Sequence, residues 1–247
     1  MQREVVRTAA ALVIGNELLS GKTQDENLGP LTKTLRGLGV RLCRAVLIED
    51  DLDTIAREVL TLHSTHDVVF TSGGVGPTHD DVTIDAVARA FGTEVVIDAA
   101  FARLIEEAYG DKCTGAHLRM ARVPKGSELI TSAEISWPTV RFANVWVMPG
   151  VPEIFRMKLS MVRERLTGPV TFYSSSVFTR IDESELKPLL DQVVLSHPEV
   201  EVGSYPKWHD PVYKTKITLD ATREEAKRAA LEHFLSLLPP GEPERVE

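Results

Sequence analysis

The stretch Thr71-Ser72-Gly73-Gly74-Val75-Gly76-Pro77-Thr78-His79-Asp80-Asp81-Val82-Thr83 follows an apolar run, Asp67-Val68-Val69-Phe70, and precedes an amphipathic one, Ile84 to Phe91. The first run reads as a buried parallel strand and the second as a helix. A Gly-rich turn between a strand and a helix is where an α/β protein places an anion, because backbone N–H groups gather there. Gly73, Gly74 and Gly76 are expected to take backbone angles closed to other residues, so that successive N–H groups face one oxyanion. No Gly-Lys-Ser/Thr follows, so this is not a Walker loop, and it lacks the third glycine of a dinucleotide fingerprint. Asp80 and Asp81 place two carboxylates beside the expected pocket. Like charges there would repel a phosphate, so a divalent cation, Mg²⁺, Mn²⁺ or Co²⁺, is expected between them. Either aspartate could instead cap the helix that carries Ala86, Val87, Ala90 and Phe91. His79 could contact a phosphate, act as a general acid near neutral pH, or stand solvated in its loop.

Outward from this loop, strand and helix patterns alternate. Thr8 to Ile14 reads as a buried strand ended by Gly15, and Leu28, Leu31, Leu35 and Leu38 form a helical face. Arg41 to Ile48 is a second strand, with Cys43 read as a small buried hydrophobe. Leu52, Ile55, Ala56, Val59 and Leu60 form the next helical face, with Asp50 or Asp51 at its start. Val95 to Ile97, Ala99 to Tyr109 and Val145 to Met148 read as strand, helix and strand. The turn Pro149-Gly150-Val151-Pro152 then leads into a helix ending near Arg165. Gly110 to Ser136 is irregular. This order implies a three-layer α/β/α, doubly wound, mostly parallel sheet. Ligands in such folds bind beyond the carboxyl ends of the strands. Gly15-Asn16-Glu17, Asp50, Gly73 to Asp81 and Pro149-Gly150 all follow strand ends, so one crevice is expected to gather them.

Thr167-Gly168-Pro169 marks a boundary, giving residues 1–168 as the first domain and 169–247 as a small α+β domain of order β-α-β-β-α. Pro188 sits awkwardly early in its helix. Thr222-Arg223-Glu224-Glu225 reads as a capping box. Trp208 and His209 fall in a loop, Trp208 being expected to pack, and Pro239 to Glu247 is expected to fray.

Among 247 residues, 43% are hydrophobic and the net charge is −8. That composition suits a globular protein and argues against a nonspecific nucleic-acid or membrane surface. No apolar run reaches membrane-spanning length and no signal-peptide core is present, so a cytoplasmic protein is expected. A homo-oligomer is left open. Beyond His79, the histidines lack metal-ligand spacing.

Three ordered motifs carry a family likeness: Gly15 to Asn27 (GNELLSGKTQDEN), Ser72 to Thr83, and Pro149-Gly150-Val151-Pro152-Glu153. With them the chain resembles the MoaB/Mog family of molybdopterin-binding domains. The likeness is closest to CinA-type proteins and the N-terminal region of eukaryotic FAD synthases. Val202 to Trp208 is similar to the FAD-synthase version in particular. Asn16 replaces an Asp of many relatives, and Thr131 to Pro138 lacks the Asn and Gly-rich segment of CinA-type proteins. Neither a CinA-type deamidase domain nor an FAD-synthesising domain is expected in these 247 residues. The resemblance implies a small-molecule ligand, a nucleotide diphosphate or a pterin phosphate. It implies either metal-dependent hydrolysis of ADP-ribose or FAD-like diphosphates, or Mog-type adenylylation of molybdopterin, or binding without turnover. Phosphate or substrate contacts are then expected from Gly15, Asn16, Glu17, Ser72, Gly73, Gly74, Val75, Gly76, Thr78, Thr83, Pro149 and Gly150. Asp81, Asp80, Glu17 and Asp50 would hold metal, and Asp81, Asp50 and His79 would be catalytic. Asp81 aligns with an Asp-x-Thr motif of the family, and Asp50 with an acidic position of Mog-type domains.

Overall fold

A computed structural model of the chain describes residues 2–247. The chain divides into two compact units, the first ending at Pro169 and the second running from Val170 to Glu247. In the first unit the elements are β1 (Thr8–Ile14), α1 (Leu28–Gly37), β2 (Arg41–Ile48), α2 (Leu52–Thr65), β3 (Val68–Ser72), α3 (Thr83–Ala90), α4 (Ala99–Tyr109), β4 (Glu128–Ile130), β5 (Thr139–Phe142), β6 (Val145–Met148) and α5 (Pro152–Arg165). Six strands form one sheet in the order β2-β1-β3-β6-β5-β4. The first four are parallel, and β5 and β4 add an antiparallel edge.

Successive strand residues point to opposite faces, so the central strands feed two cores. Ala9, Ala11, Phe70, Trp146 and Met148 pack with Leu31 and Leu35 of α1 and Phe155, Leu159 and Val162 of α5. Ala10, Leu12, Val69 and Val147 pack with Ile55, Val59 and Leu62 of α2 and Ile84 and Val87 of α3. The result is three layers, with β1, β3 and β6 near-continuously apolar because both their faces are covered. Strand β2 lies at the sheet edge and is largely exposed, so Cys43 is exposed rather than buried. Leu60 is 43% exposed, and Leu62 takes the buried place on α2 instead. The irregular region contributes β4 and a strand, Arg122–Pro124, that pairs antiparallel with Val95–Ile97 in a separate two-stranded sheet.

The chain leaves β1 toward β2 on one side and returns to β3 on the other. The strand order therefore reverses between β1 and β3, which opens a crevice beyond their carboxyl ends.

The second unit holds β7 (Tyr173–Thr179), α6 (Glu183–Ser196), β8 (Glu201–Pro206), β9 (Thr215–Ala221), α7 (Glu224–Leu237) and β10 (Arg245–Val246). Its antiparallel sheet has the order β8-β9-β7-β10. Val177, Ile217 and Leu219 pack beneath Leu186 and Val193 of α6 and Phe234 of α7. The tail expected to fray instead forms β10, and Ser176 and Glu247 exchange both backbone hydrogen bonds. Pro188 lies inside α6, which starts at Glu183. No capping box forms at α7, whose cap residue is Arg223 without a side-chain hydrogen bond. Trp208 is 90% exposed rather than packed.

Candidate functional site

The loop after β3 begins with two glycines in the left-handed region, Gly73 at φ +108° and Gly74 at φ +64°. A Cβ at Gly73 would overlap the Ile14 carbonyl oxygen, and one at Gly74 would overlap Thr83 Oγ1. Both conformation and space therefore demand glycine. Gly76, expected to share that conformation, has an ordinary φ; its missing side chain makes room for the Asp81 carboxylate. Thr83 ties the loop down, donating from Oγ1 to Gly73 O at 2.9 Å and from N to Gly74 O at 3.0 Å. The Gly73 N–H is spent on Met148 O at 3.3 Å. Among the described residues the N–H groups of Gly74, Val75 and Gly76 have no acceptor, so they are the ones open to an anion.

Neither Asp80 nor Asp81 caps α3. That helix starts after Val82 with no side-chain cap. Both aspartates are instead gathered by Thr78. Asp81 Oδ2 accepts from Thr78 N at 2.8 Å and from Thr78 Oγ1 at 2.6 Å, and the same hydroxyl contacts Asp80 Oδ1. The Thr78 hydroxyl holds Asp80 below the usual carboxylate range. Across the crevice, Asp50 Oδ2 accepts the Asn16 N–H at 2.7 Å. Burial raises the Asp50 pKa, the Asn16 hydrogen bond opposes this, and the charges of Glu17, Asp80 and Asp81 raise it further. Those three charges act on Asp50 because strand ends far apart in sequence converge here. Asp51, not Asp50, caps α2, accepting from Thr54 N.

Glu17, Asp50, Ser72 to Gly76, Asp80, Asp81, Pro149 and Gly150 line one crevice of about 780 Å³. Gly15, Asn16, Thr78 and Thr83 stand behind its wall, holding the residues that face it. The side chain of His79 is 98% exposed, and His79 is not part of the lining.

Family models match both units. The model of a probable molybdopterin-binding domain covers residues 10–167. The chain belongs to the molybdopterin-binding domain family. The model of the FAD synthase middle domain covers residues 171–247. A protein of Caenorhabditis briggsae named "Probable FAD synthase" is 32% identical over 93% of this chain and 50% of its own length. A protein of Archaeoglobus fulgidus is 32% identical over 91% of this chain and 95% of its own. The solved structure of the protein CinA of Thermoplasma acidophilum superposes with a TM-score of 0.59 at 29% identity, covering 64% of this chain and 97% of that one. The chain spans about half the length of the FAD synthase relatives it matches.

The crevice also contains residues that the sequence reading passed over. Asn27, 4% exposed, donates from Nδ2 to Ser72 Oγ at 2.9 Å and to Gly150 O at 2.8 Å. It thereby stitches together the loops after β1, β3 and β6. Its Oδ1 is buried in the crevice wall without a partner, an acceptor that a ligand donor could satisfy. Asn27 closes the Gly15 to Asn27 motif, and that position was its only sequence signal. Asp25 accepts from Asn27 N and Leu28 N and so organises the start of α1.

The lining of the crevice is strongly acidic, with Glu17, Asp25, Glu26, Asp50, Asp80 and Asp81 against Arg122 and Lys158. Both cations are engaged. Arg122 pairs with Asp85 at 2.5 Å. Lys158, 4% exposed, donates to the carbonyl oxygens of Trp137 and Pro138 and to Thr139 Oγ1. Burial without a carboxylate partner lowers its pKa to about 8.

A divalent ion, as the resemblance implies, would have to be held by this donor set. Among the described residues no three His, Cys, Asp or Glu side chains are placed to hold a metal ion by themselves. An all-protein cage is therefore absent. The carboxylates suit the other mode of Mg²⁺ and its kin, in which one or two carboxylates share the ion with substrate phosphates.

Proposed function

We propose that the chain is a divalent-metal-dependent pyrophosphatase acting on an ADP-ribose-like or FAD-like diphosphate. One observation carries this reading: unpaired loop N–H groups, made for an anion, open into a crevice lined by six carboxylates whose two cations are already engaged. Such a crevice repels a bare phosphate and accepts one that arrives with a divalent cation. The N–H groups of Gly74, Val75 and Gly76 would hold one phosphate. Asp81, fixed by Thr78, would hold the ion together with Asp50 or Glu17. When bound, the ion supplies charge neutralisation at the phosphoryl oxygens and an acidified water. The backbone donors supply fixed dipoles where negative charge develops on the transferred phosphoryl group, with no reorganisation at the moment of reaction. The FAD synthase and CinA likeness of the relatives supports a nucleotide ligand.

The match to the molybdopterin-binding model supports a second reading, a pterin-phosphate binding module without turnover. Purified protein with ADP-ribose or FAD and Mg²⁺, Mn²⁺ or Co²⁺ separates the two. AMP release that stops on chelation is expected. Folded protein that binds pterin phosphate and releases no AMP across that panel would establish the second reading.

A further inference from the structure

The glycine loop also faces a second, much smaller space. A cleft of about 20 Å³, room for about one water, lies between Gly74, Val75, Gly76 and Asp81 on one side and Arg119 and Arg122 on the other. Met120 and Arg122 line both this cleft and the main crevice, so the two adjoin. Arg119 opens a short 3-10 turn, Arg119–Ala121, within the segment whose sequence reads as irregular. The two arginines differ in what they are bonded to. Arg122 is spent on Asp85. Arg119 is exposed, and among the described residues its guanidinium has no hydrogen bond, ion pair or ring contact. Asp81, its acidic neighbour across the cleft, has given Oδ2 to Thr78. Arg119 therefore stands about one water away from the loop whose N–H groups are open to an anion, with its own charge unspent.

We propose that Arg119 reaches across this cleft and grips the second phosphate of a diphosphate whose first phosphate sits on the loop. The inference rests on the proposed function, which supplies the diphosphate. The N–H groups of Gly74, Val75 and Gly76 serve one phosphate, and the carboxylates of the crevice offer the other no donor. Arginine suits that task, because its planar fork meets two phosphate oxygens at once. Being unpaired, Arg119 breaks no ion pair to do so. In the proposed hydrolysis a water oxygen bonds to the first phosphorus, and the bond from that phosphorus to the bridging oxygen breaks. The bridging oxygen leaves on the second phosphate with the electron pair, and a water proton passes to solvent. Negative charge then gathers where the guanidinium is held. Arginine stays protonated throughout, so it steadies that charge without acting as an acid.

Arg119→Ala and Arg119→Lys in the whole 247-residue chain test this, by titration calorimetry and kinetics with Mg²⁺. Because the side chain is exposed and unpaired, both variants are expected to keep the wild-type thermal midpoint. Pyrophosphate affinity should fall about 10-fold in Arg119→Ala, whereas affinity for inorganic phosphate, held by the loop alone, should stay unchanged. With ADP-ribose, kcat should fall about 100-fold or more in Arg119→Ala. Arg119→Lys, a point charge without the fork, should recover only part of either loss. Unchanged pyrophosphate affinity in Arg119→Ala overturns the proposal, as does an equal loss for phosphate and pyrophosphate, which would mark a general field. Full recovery in Arg119→Lys would overturn the two-oxygen grip. If the wild type releases no AMP, the proposed function falls, while a loss confined to pyrophosphate still upholds Arg119 as the second phosphate's partner. AMP release with pyrophosphate affinity and kcat both unchanged in Arg119→Ala does the reverse.

Discussion

Asp81 and Lys158 are two charged residues whose surroundings set opposite tasks. Asp81 spends its Oδ2 on Thr78 and leaves the rest of its charge facing the crevice. An amide oxygen can accept the same Thr78 hydrogen bonds, so Asp81→Asn is expected to change stability by no more than about 0.5 kcal/mol. It removes a charge the cation needs, so metal-dependent turnover is expected to fall about 100-fold or more. Metal affinity and AMP release, measured beside urea denaturation, check both parts; full activity in the variant would remove Asp81 from the site. Lys158 is a protonated amine whose pKa burial has lowered from 10.5 to about 8. Between those values the unfolded chain holds a proton that the folded chain has released, so stability from this residue rises with pH across the window. Below about pH 8 both states are protonated and the desolvation cost is felt in full. The stability of wild type relative to Lys158→Met is therefore expected to climb between pH 8 and pH 10.5, by up to about 3 kcal/mol. A flat difference across that range would mean that Lys158 stays charged in the folded protein.

The loop from Gly73 to Thr83 is a strand-to-helix joint whose shape is enforced by both sides. Gly74 is left-handed and lies where a side chain would strike Thr83. Gly21 is also left-handed, at φ +71°, but faces open space. Replacing Gly21 by Ala meets only the backbone cost, about 1–2 kcal/mol. Gly74→Ala adds the collision and must displace the Thr83 hydroxyl from its bond to Gly73 O. Gly74→Ala should therefore be the more destabilising of the two in urea, and it alone should weaken pyrophosphate binding. Equal costs, with binding intact, would show that the loop adapts freely. The mostly parallel sheet, the two-sided burial of its central strands and a crevice at their carboxyl ends were legible from the alternation of apolar runs and the glycines that end them; the strand order, and with it the reversal between β1 and β3, was not. The edge position of β2, which exposes Cys43, was not read, although Arg41 and Arg44 set that strand apart from the apolar central ones.

Across the whole molecule each unit carries its own apolar core, two-sided around the parallel sheet in one and one-sided beneath the antiparallel sheet in the other. A chain with its own core and few outside dependencies can unfold as one cooperative unit. A fragment ending at Pro169 is expected to show a single urea transition with near-ultraviolet dichroism of fixed aromatic side chains. A fragment with secondary structure but no cooperative transition would mean that its core needs residues beyond Pro169.

What this sequence determined unaided was local: the glycine loop, the strand before it, the helix after it, and the carboxylates at strand ends. Periodicity and turn chemistry act over roughly a dozen residues, so they can be read from the chain. Which of those groups meet, and what each is bonded to, was decided by the tertiary structure. Thr78 takes Asp80 and Asp81 away from the helix cap they seemed suited to. Asn27 reaches Gly150 across 123 positions, and Asn16 reaches Asp50 across 34. Lys158, an ordinary polar position in a helical pattern, is buried because the segment from Trp137 to Thr139 folds over it. Hydrogen bonds of this kind depend on strand order and on which loops it brings side by side, and no local propensity encodes either.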